Sequence, residues 1–228
     1  MNNLILNTDS YKASHWPQYV PNTETVFSST ESRGGRFASV PVLIQPYLKE
    51  YLSKPITQED IDEAADVFAA HGEPFNKEGW EYILKEHNGY MPVRIRAVAE
   101  GTPVPVNNIM VSIENTDPKV PWLTSYLETS LLRAIWYAGT VAANSRSIRK
   151  IIASYLDKTG DISGLDFKLH DFGARGVSSN ESAMLGGLAH LSMGWMGTDT
   201  VAALVGARRY YGAEMAGFSI PAAEHSTM

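Results

Sequence analysis

Hydrophobic positions change period along the chain, and each change marks an element. Beyond Pro55, Ile61, Ala64, Ala65 and Phe68 fall on one face at helical spacing, and Thr57 with Asp60 has the pattern of a capping box. A helix is predicted there, stopping at Gly72. A second helical stretch surrounds Trp80, roughly Asn76 to His87, and ends at Asn88-Gly89. The period then drops to two. Val93, Ile95, Ala97 and Ala99 alternate with Arg94, Arg96, Val98 and Glu100, and residues 109–114 give another β run after a Pro-rich turn. Those two runs read as an antiparallel pair. Residues 1–40 are more polar, with short β-prone pieces such as Thr25-Val26-Phe27-Ser28 and a glycine break at Arg33-Gly34-Gly35-Arg36.

From Pro121 to Gly160 the pattern is helical with few breaks; Ile148, Ile151, Ile152, Tyr155 and Leu156 share a face and Gly160 is a plausible C-cap. The last segment repeats one device three times. Phe167-Lys168-Leu169 reads as a strand entering His170-Asp171-Phe172-Gly173, before an Ala/Leu helix over roughly Ser179 to Ser192. Trp195-Met196 enters Gly197-Thr198-Asp199, before a helix with Val201, Leu204 and Val205. Phe218-Ser219-Ile220 enters Pro221-Ala222-Ala223-Glu224-His225. Strand, polar cluster, helix is β/α repetition, which predicts parallel strands with the clusters collected at their C-terminal ends, the edge where chemistry sits in α/β folds.

Composition narrows the function classes. Among 228 residues, Lys+Arg number 19 against 25 Asp+Glu, a net charge of -6, which argues against a nucleic-acid-binding domain. No apolar run reaches membrane-spanning length, and the N-terminal MNNLILNTDSYK lacks the basic region of a signal peptide. With no cysteine, disulfides, thiol catalysis and Cys-based zinc sites fall away, and a reducing, cytoplasmic setting is expected. Eleven Tyr and five Trp suit either flat ligands or a well-filled core.

The polar clusters each have two readings. Asp199 precedes a helix and could be its N-cap, a role Thr198 could also fill. Phe172 could be core, Arg175 a solvated loop residue, and His225 a satisfied buried histidine beside Glu224. The histidines show no HxxxH or HExxH spacing, which disfavours a dedicated transition-metal site, and neither a P-loop nor GxGxxG is present. Arg33 and Arg36, around Gly34-Gly35, could hold an anion or simply sit on a mobile loop. The joint pattern of an aromatic, an arginine, an aspartate and a histidine at successive strand ends favours a pocket for a planar ring with an amide-like group beside a phosphorylated partner.

Several strings, in order, resemble nicotinamide phosphoribosyltransferases: NTDSYKASHWPQY, VRIRAVAEGTPVP, ENTDP, TVAANSR, LHDFGARGVSSNESA, WMGTDTVAAL and FSIPAAEHST. The resemblance covers the whole chain. It implies an α/β fold: a mixed α+β N-terminal domain over residues 1–120, then, over 121–228, a helical connection and the first β/α units of an incomplete (β/α) barrel of the type II phosphoribosyltransferase kind. It implies condensation of nicotinamide with 5-phosphoribosyl-1-pyrophosphate to nicotinamide mononucleotide and pyrophosphate, in a homodimer with shared active sites. Phe172 is expected to stack on one face of the pyridine ring and Tyr11 of the partner subunit on the other, with Asp9 assisting across the interface. Arg175, Ser219 and Ile220 would line the pocket, Asp199 would accept a hydrogen bond from the carboxamide, and Arg33 would bind phosphate. His225 matches a histidine that ATP phosphorylates, and Mg²⁺ would accompany the ribosyl donor.

Ala174 stands where relatives often have tyrosine. Family members are also considerably longer, and the chain ends within a motif, so the expectation is one half of an enzyme that needs a complementary C-terminal polypeptide, inactive and poorly soluble alone. Two other readings compete. One is nicotinate phosphoribosyltransferase, which the charge of Asp199 disfavours because it repels a carboxylate. The other is a non-catalytic scaffold.

Overall fold

A computed structural model describes residues 3–227, and the chain divides into two compact units. The first comprises residues 1–34, 47–99 and 104–135; the second comprises 35–46, 100–103 and 136–228. The chain passes between the two units several times.

In the first unit the alternating runs form strands because one side chain in two faces the core. Strands β1 (Phe27–Glu31), β2 (Val93–Ala97) and β3 (Ile109–Asn115) make an antiparallel sheet with β3 in the centre. Ile95 lies opposite Ile113, and Ser28 lies opposite Ile113 on the other side. On the exposed side Glu114 accepts from both Arg94 and Arg96 at 2.9 Å, so the outward charges of neighbouring strands pair. Helix α1 (Gln58–His71) begins with the capping box predicted for Thr57 and Asp60 and ends at Gly72, whose φ of 86° meets the left-handed requirement of that C-cap. Helix α2 (Lys77–Glu86) starts at Asn76, whose side chain accepts from Gly79 N–H, and stops before Asn88 and Gly89, both at positive φ.

An aromatic cluster fills this unit: Trp80 meets Trp122 and Tyr126 edge-on at 5.0 and 4.9 Å. The Tyr126 hydroxyl donates to the Ile5 carbonyl at 2.7 Å, tying the N-terminal segment to the cluster. Buried Asn115 closes the ENTDP turn by donating to the carbonyls of Glu24 and Asp117 and accepting from Val26 N–H, all at 2.8 Å.

The long helix α3 (Glu128–Thr159) starts in the first unit and continues in the second. Its second-unit portion presents small residues. Ala138 and Ala142 pack with Leu43 and Ala189, and a Cβ at Gly139 would come within 2.9 Å of the Pro41 carbonyl. Helices α4 (Asn180–Ser192) and α5 (Val201–Tyr211) also approach through small residues, Gly187 facing Ala203 and Gly206 facing Met184.

The parallel strands β4 (His170–Asp171) and β5 (Gly197–Thr198) precede α4 and α5 in turn, and Phe218 bridges Gly197 in the same parallel sense. Three parallel strand ends followed by polar residues are therefore present, as the β/α reading requires. The strands are shorter than predicted. Phe167 closes a 3₁₀-helix (Ile162–Phe167) instead of opening a strand, because Asp161 caps that turn by accepting from Ser163 N–H, and pairing begins only at His170. No closed barrel forms among the described residues.

Candidate active site

The ends of β4, β5 and the Phe218 bridge are locked by Asp171. Its carbonyl accepts from Asp199 N–H at 2.9 Å. One carboxylate oxygen accepts from Gly173 N–H at 2.8 Å and the other from the Thr198 hydroxyl at 3.0 Å. Thr198 N–H in turn donates to the Phe218 carbonyl at 2.9 Å. The three segments that carry Phe172, Asp199 and Ser219 thus share one set of hydrogen bonds.

Asp199 is not the helix cap. Thr200 occupies the N-cap position of α5, and Thr200 N–H is met by the Thr198 hydroxyl at 3.0 Å. The Asp199 carboxylate is free for other work. Its Oδ1 accepts from the Ser219 hydroxyl at 2.5 Å and lies 2.8 Å from His170 Nε2, while Oδ2 has no partner among the described residues. The Ser219 hydroxyl and then His170 hold its pKa below the usual carboxylate range, so it is ionised at neutral pH. Both local donors sit on one oxygen, which leaves the other as a directed acceptor.

Phe172 is not core: it is 61% exposed, with its ring 4.5 Å from that of His170 and tilted by 34°. His170 therefore touches both the aromatic face and the acceptor. Asp199 lines a cleft of about 510 Å³ where α4 and α5 begin, together with Ala174, Ser179, Asn180 and Thr200. The Thr200 hydroxyl is buried without a hydrogen-bond partner among the described residues. Orphaned buried hydroxyls are uncommon, and this one belongs to a residue of the cleft wall.

Arg175 lies in the exposed turn Gly173–Gly176 and makes no ion pair among the described residues; Ile220 is exposed beside Ser219. His225 is solvent-facing, not buried, with Nε2 3.1 Å from Glu224. Asp9, Tyr11 and Arg33 belong to the first unit. Asp9 accepts from the Thr129 hydroxyl at 2.6 Å, Tyr11 is 52% exposed and packs edge-on against His15, and Arg33 is exposed before Gly34, whose φ is 105°. Lys12, between Asp9 and the start of α3, is buried against Glu128; burial opposes its charge but the Glu128 pairing prevails and raises its pKa. Sequence reasoning missed His170, Asp171, Thr198 and Thr200. The first two stood in view within the HDFG string, but residue type alone does not reveal hydrogen-bond direction.

Residues 3–95 match a family model described as nicotinamide phosphoribosyltransferase, N-terminal domain, and residues 167–228 match the nicotinate phosphoribosyltransferase family. A nicotinamide phosphoribosyltransferase of Xanthomonas campestris is 53% identical over the whole chain, which covers 49% of that protein. The likeness is to the N-terminal half of the nicotinamide phosphoribosyltransferases. Another of that name, from Acinetobacter baylyi, is 31% identical over 96% of the chain and 47% of its own length. The chain thus spans about half the length of the nicotinamide phosphoribosyltransferases it matches. A crystal structure of human nicotinic acid phosphoribosyltransferase superposes on 96% of the chain and 39% of its own, with a TM-score of 0.66 at 18% identity, which shows a shared fold. No helix among the described residues is long and apolar enough to cross a membrane.

Proposed function

We propose that this chain supplies the nicotinamide-binding part of a nicotinamide phosphoribosyltransferase acting in NAD salvage. The observation that carries the reading is the division of labour on Asp199: Ser219 and His170 occupy Oδ1, Oδ2 is left without a protein partner among the described residues, and His170 also packs against the ring of exposed Phe172. A carboxamide NH₂ fits such an acceptor, and a pyridine ring fits the aromatic face.

In the proposed reaction the ring nitrogen attacks the anomeric carbon of 5-phosphoribosyl-1-pyrophosphate. A C–N bond forms, the C–O bond to pyrophosphate breaks, and its electron pair leaves on the pyrophosphate oxygen. No proton need be removed from the ring nitrogen, so the residues bind and orient. Phe172 stacks on one ring face and Tyr11 of a second subunit in a homodimer covers the other, assisted by Asp9. Arg33 holds phosphate oxygens as a guanidinium fork, and Arg175, Ser219 and Ile220 shape the wall of the ring pocket. Exposed His225 is accessible to phosphorylation by ATP, which would place anionic oxygens near the donor. Among the described residues no three His, Asp or Glu side chains converge to hold a metal. Mg²⁺ would arrive on the pyrophosphate of the donor. A complementary C-terminal polypeptide completes the cytoplasmic enzyme.

The match of residues 167–228 to the nicotinate family supports a second reading, with nicotinate as the base. Mixing the 228-residue chain with its completing polypeptide and assaying both bases separates them. The expected result is mononucleotide from nicotinamide, with Asp199→Asn lowering kcat/KM for nicotinamide about tenfold or more and narrowing the preference over nicotinate. A wild-type preference for nicotinate, or an Asp199→Asn variant with unchanged discrimination, would overturn the proposal.

A further inference from the structure

A second cavity in the same unit shares no lining residue with the cleft at Asp199. It has a volume of about 440 Å³ and is walled by Arg146, Arg149 and Lys150 of α3, by Leu165, by Ser192 and Met193 at the end of α4, and by Gly101 and Pro103. Leu165 precedes β4, and Ser192 and Met193 precede β5. The cavity therefore lies toward the N-terminal ends of the parallel strands, whereas Phe172 and Asp199 follow their C-terminal ends.

The charges in this cavity are unbalanced. Arg149 is committed: it pairs with Asp166, donates to the Gly194 carbonyl at 2.8 Å and lies over the Trp195 ring at 5.0 Å. Arg146 and Lys150 have no hydrogen-bonded or ion-paired partner among the described residues, although Arg146 is half-buried. Glu100, beside Gly101, is turned elsewhere and accepts from Ile44 N–H, Gln45 N–H and the Tyr211 hydroxyl. Asp166 neutralises one of the three cations and two positive charges are left. A half-buried guanidinium without a counter-charge is unfavourable unless an anion completes it. Arg146 and Lys150 stand one helical turn apart on α3 with Arg149 between them, so fork and ammonium point into one space.

We infer that this cavity is a binding site for a phosphate group carried on a small molecule, with Arg146 and Lys150 as its ligands. Two unpaired cations match a phosphate dianion. The volume far exceeds the roughly 30 Å³ share of a water molecule and falls within the usual range for small-molecule pockets, so it has room for what the phosphate is attached to. Arg149, fixed by Asp166 and Trp195, walls the cavity between the two ligands and keeps the Trp195 face covered without adding net charge. The inference stands on this cavity alone and does not depend on which base the other cleft binds.

Titrating the 228-residue chain with inorganic phosphate, and separately with glycerol 3-phosphate, at constant ionic strength held by sodium chloride, tests it. The readouts are Trp fluorescence, which Trp195 beneath Arg149 should report, and thermal midpoint. The expected result is saturable binding that Arg146→Gln or Lys150→Gln each weakens about tenfold or more and that Arg146→Lys partly retains. Arg209→Gln, at an exposed position outside both clefts, should leave it unchanged. Tighter binding of the ester than of phosphate would support a phosphorylated small molecule, and the reverse a free phosphate site. Lys150 is exposed, so its variant keeps the test valid if the Arg146 variant does not fold. A response equal to that of sodium chloride, or binding lost only in Arg209→Gln, would overturn the inference. So would Lys150→Glu changing the sedimentation of the chain without any phosphate binding, since the natural occupant would then be an acidic segment of another polypeptide.

Discussion

Replacing Gly187 with alanine sets two effects of opposite sign against each other. Inside a helix alanine is favoured over glycine by about 0.8–1.0 kcal/mol. At this position, however, a Cβ would stand 2.5 Å from the Ala203 Cβ, 3.1 Å from Asp171 Oδ2 and 3.4 Å from Thr200 Cγ2. Carbon atoms sit comfortably at about 3.5–4.0 Å, so α4 and α5 must part by roughly 1 Å at their contact. Overpacking of this kind costs about 1–3 kcal/mol. The balance is a net loss of about 1 kcal/mol, or a thermal midpoint lower by about 2–4 °C for a domain of this size. Urea unfolding of the chain and of Gly187→Ala, followed by far-UV circular dichroism, measures it. A variant more stable by about 1 kcal/mol, the propensity effect alone, would refute the close helix approach. The same substitution crowds Asp171 and Thr200, so it should also loosen the strand ends that position Asp199.

Two further outcomes follow from buried polar groups. His190 is 5% exposed, stacks on Trp195 and makes a 3.2 Å hydrogen bond to the Gly197 carbonyl; burial lowers its pKa. The folded chain thus favours the neutral ring, and stability is lost as pH falls below about 6.5 toward the lowered folded value, by up to about 1.4 kcal/mol per pH unit. The stability gap between the chain and His190→Phe, from urea unfolding at several pH values between about 7.5 and 5.5, should shrink in acid; a constant gap would contradict this. Asn115→Ala removes three hydrogen bonds in one turn and should cost about 2–4 kcal/mol, with faster amide exchange at Val26. A loss under about 0.5 kcal/mol would mean that the turn is held by other contacts.

The elements that could be read from the sequence were those with strong local signals. The Thr57–Asp60 box, the stop at Gly72 and the alternation at 93–97 depend on neighbours only a few residues away. The β/α order was legible for the same reason, since each polar cluster followed an apolar run. Lengths were not legible: Phe167 and Leu169 look like strand, but Asp161 starts a 3₁₀ turn and leaves pairing to His170 and Asp171. Residue roles at the site were half legible. Asp199 could be singled out, yet whether it caps α5 depends on Thr198, whose hydroxyl accepts from Thr200 N–H and donates to Asp171 of the neighbouring strand. Arg146 and Lys150 carried no signal, because a charged helical face ordinarily means solvent.

Asp171 has a further consequence. Because one residue anchors the loops that carry the exposed ring and the acceptor oxygen, any motion that parts Phe172 from Asp199 has to break its hydrogen bonds. The strand ends act as a caliper. In the proposed function a ligand would be gauged by the length from its flat face to its donor group, and a molecule with both features at the wrong separation would be disfavoured. Asp171→Asn should therefore blunt size selectivity among ring amides before it weakens binding of the best-fitting one.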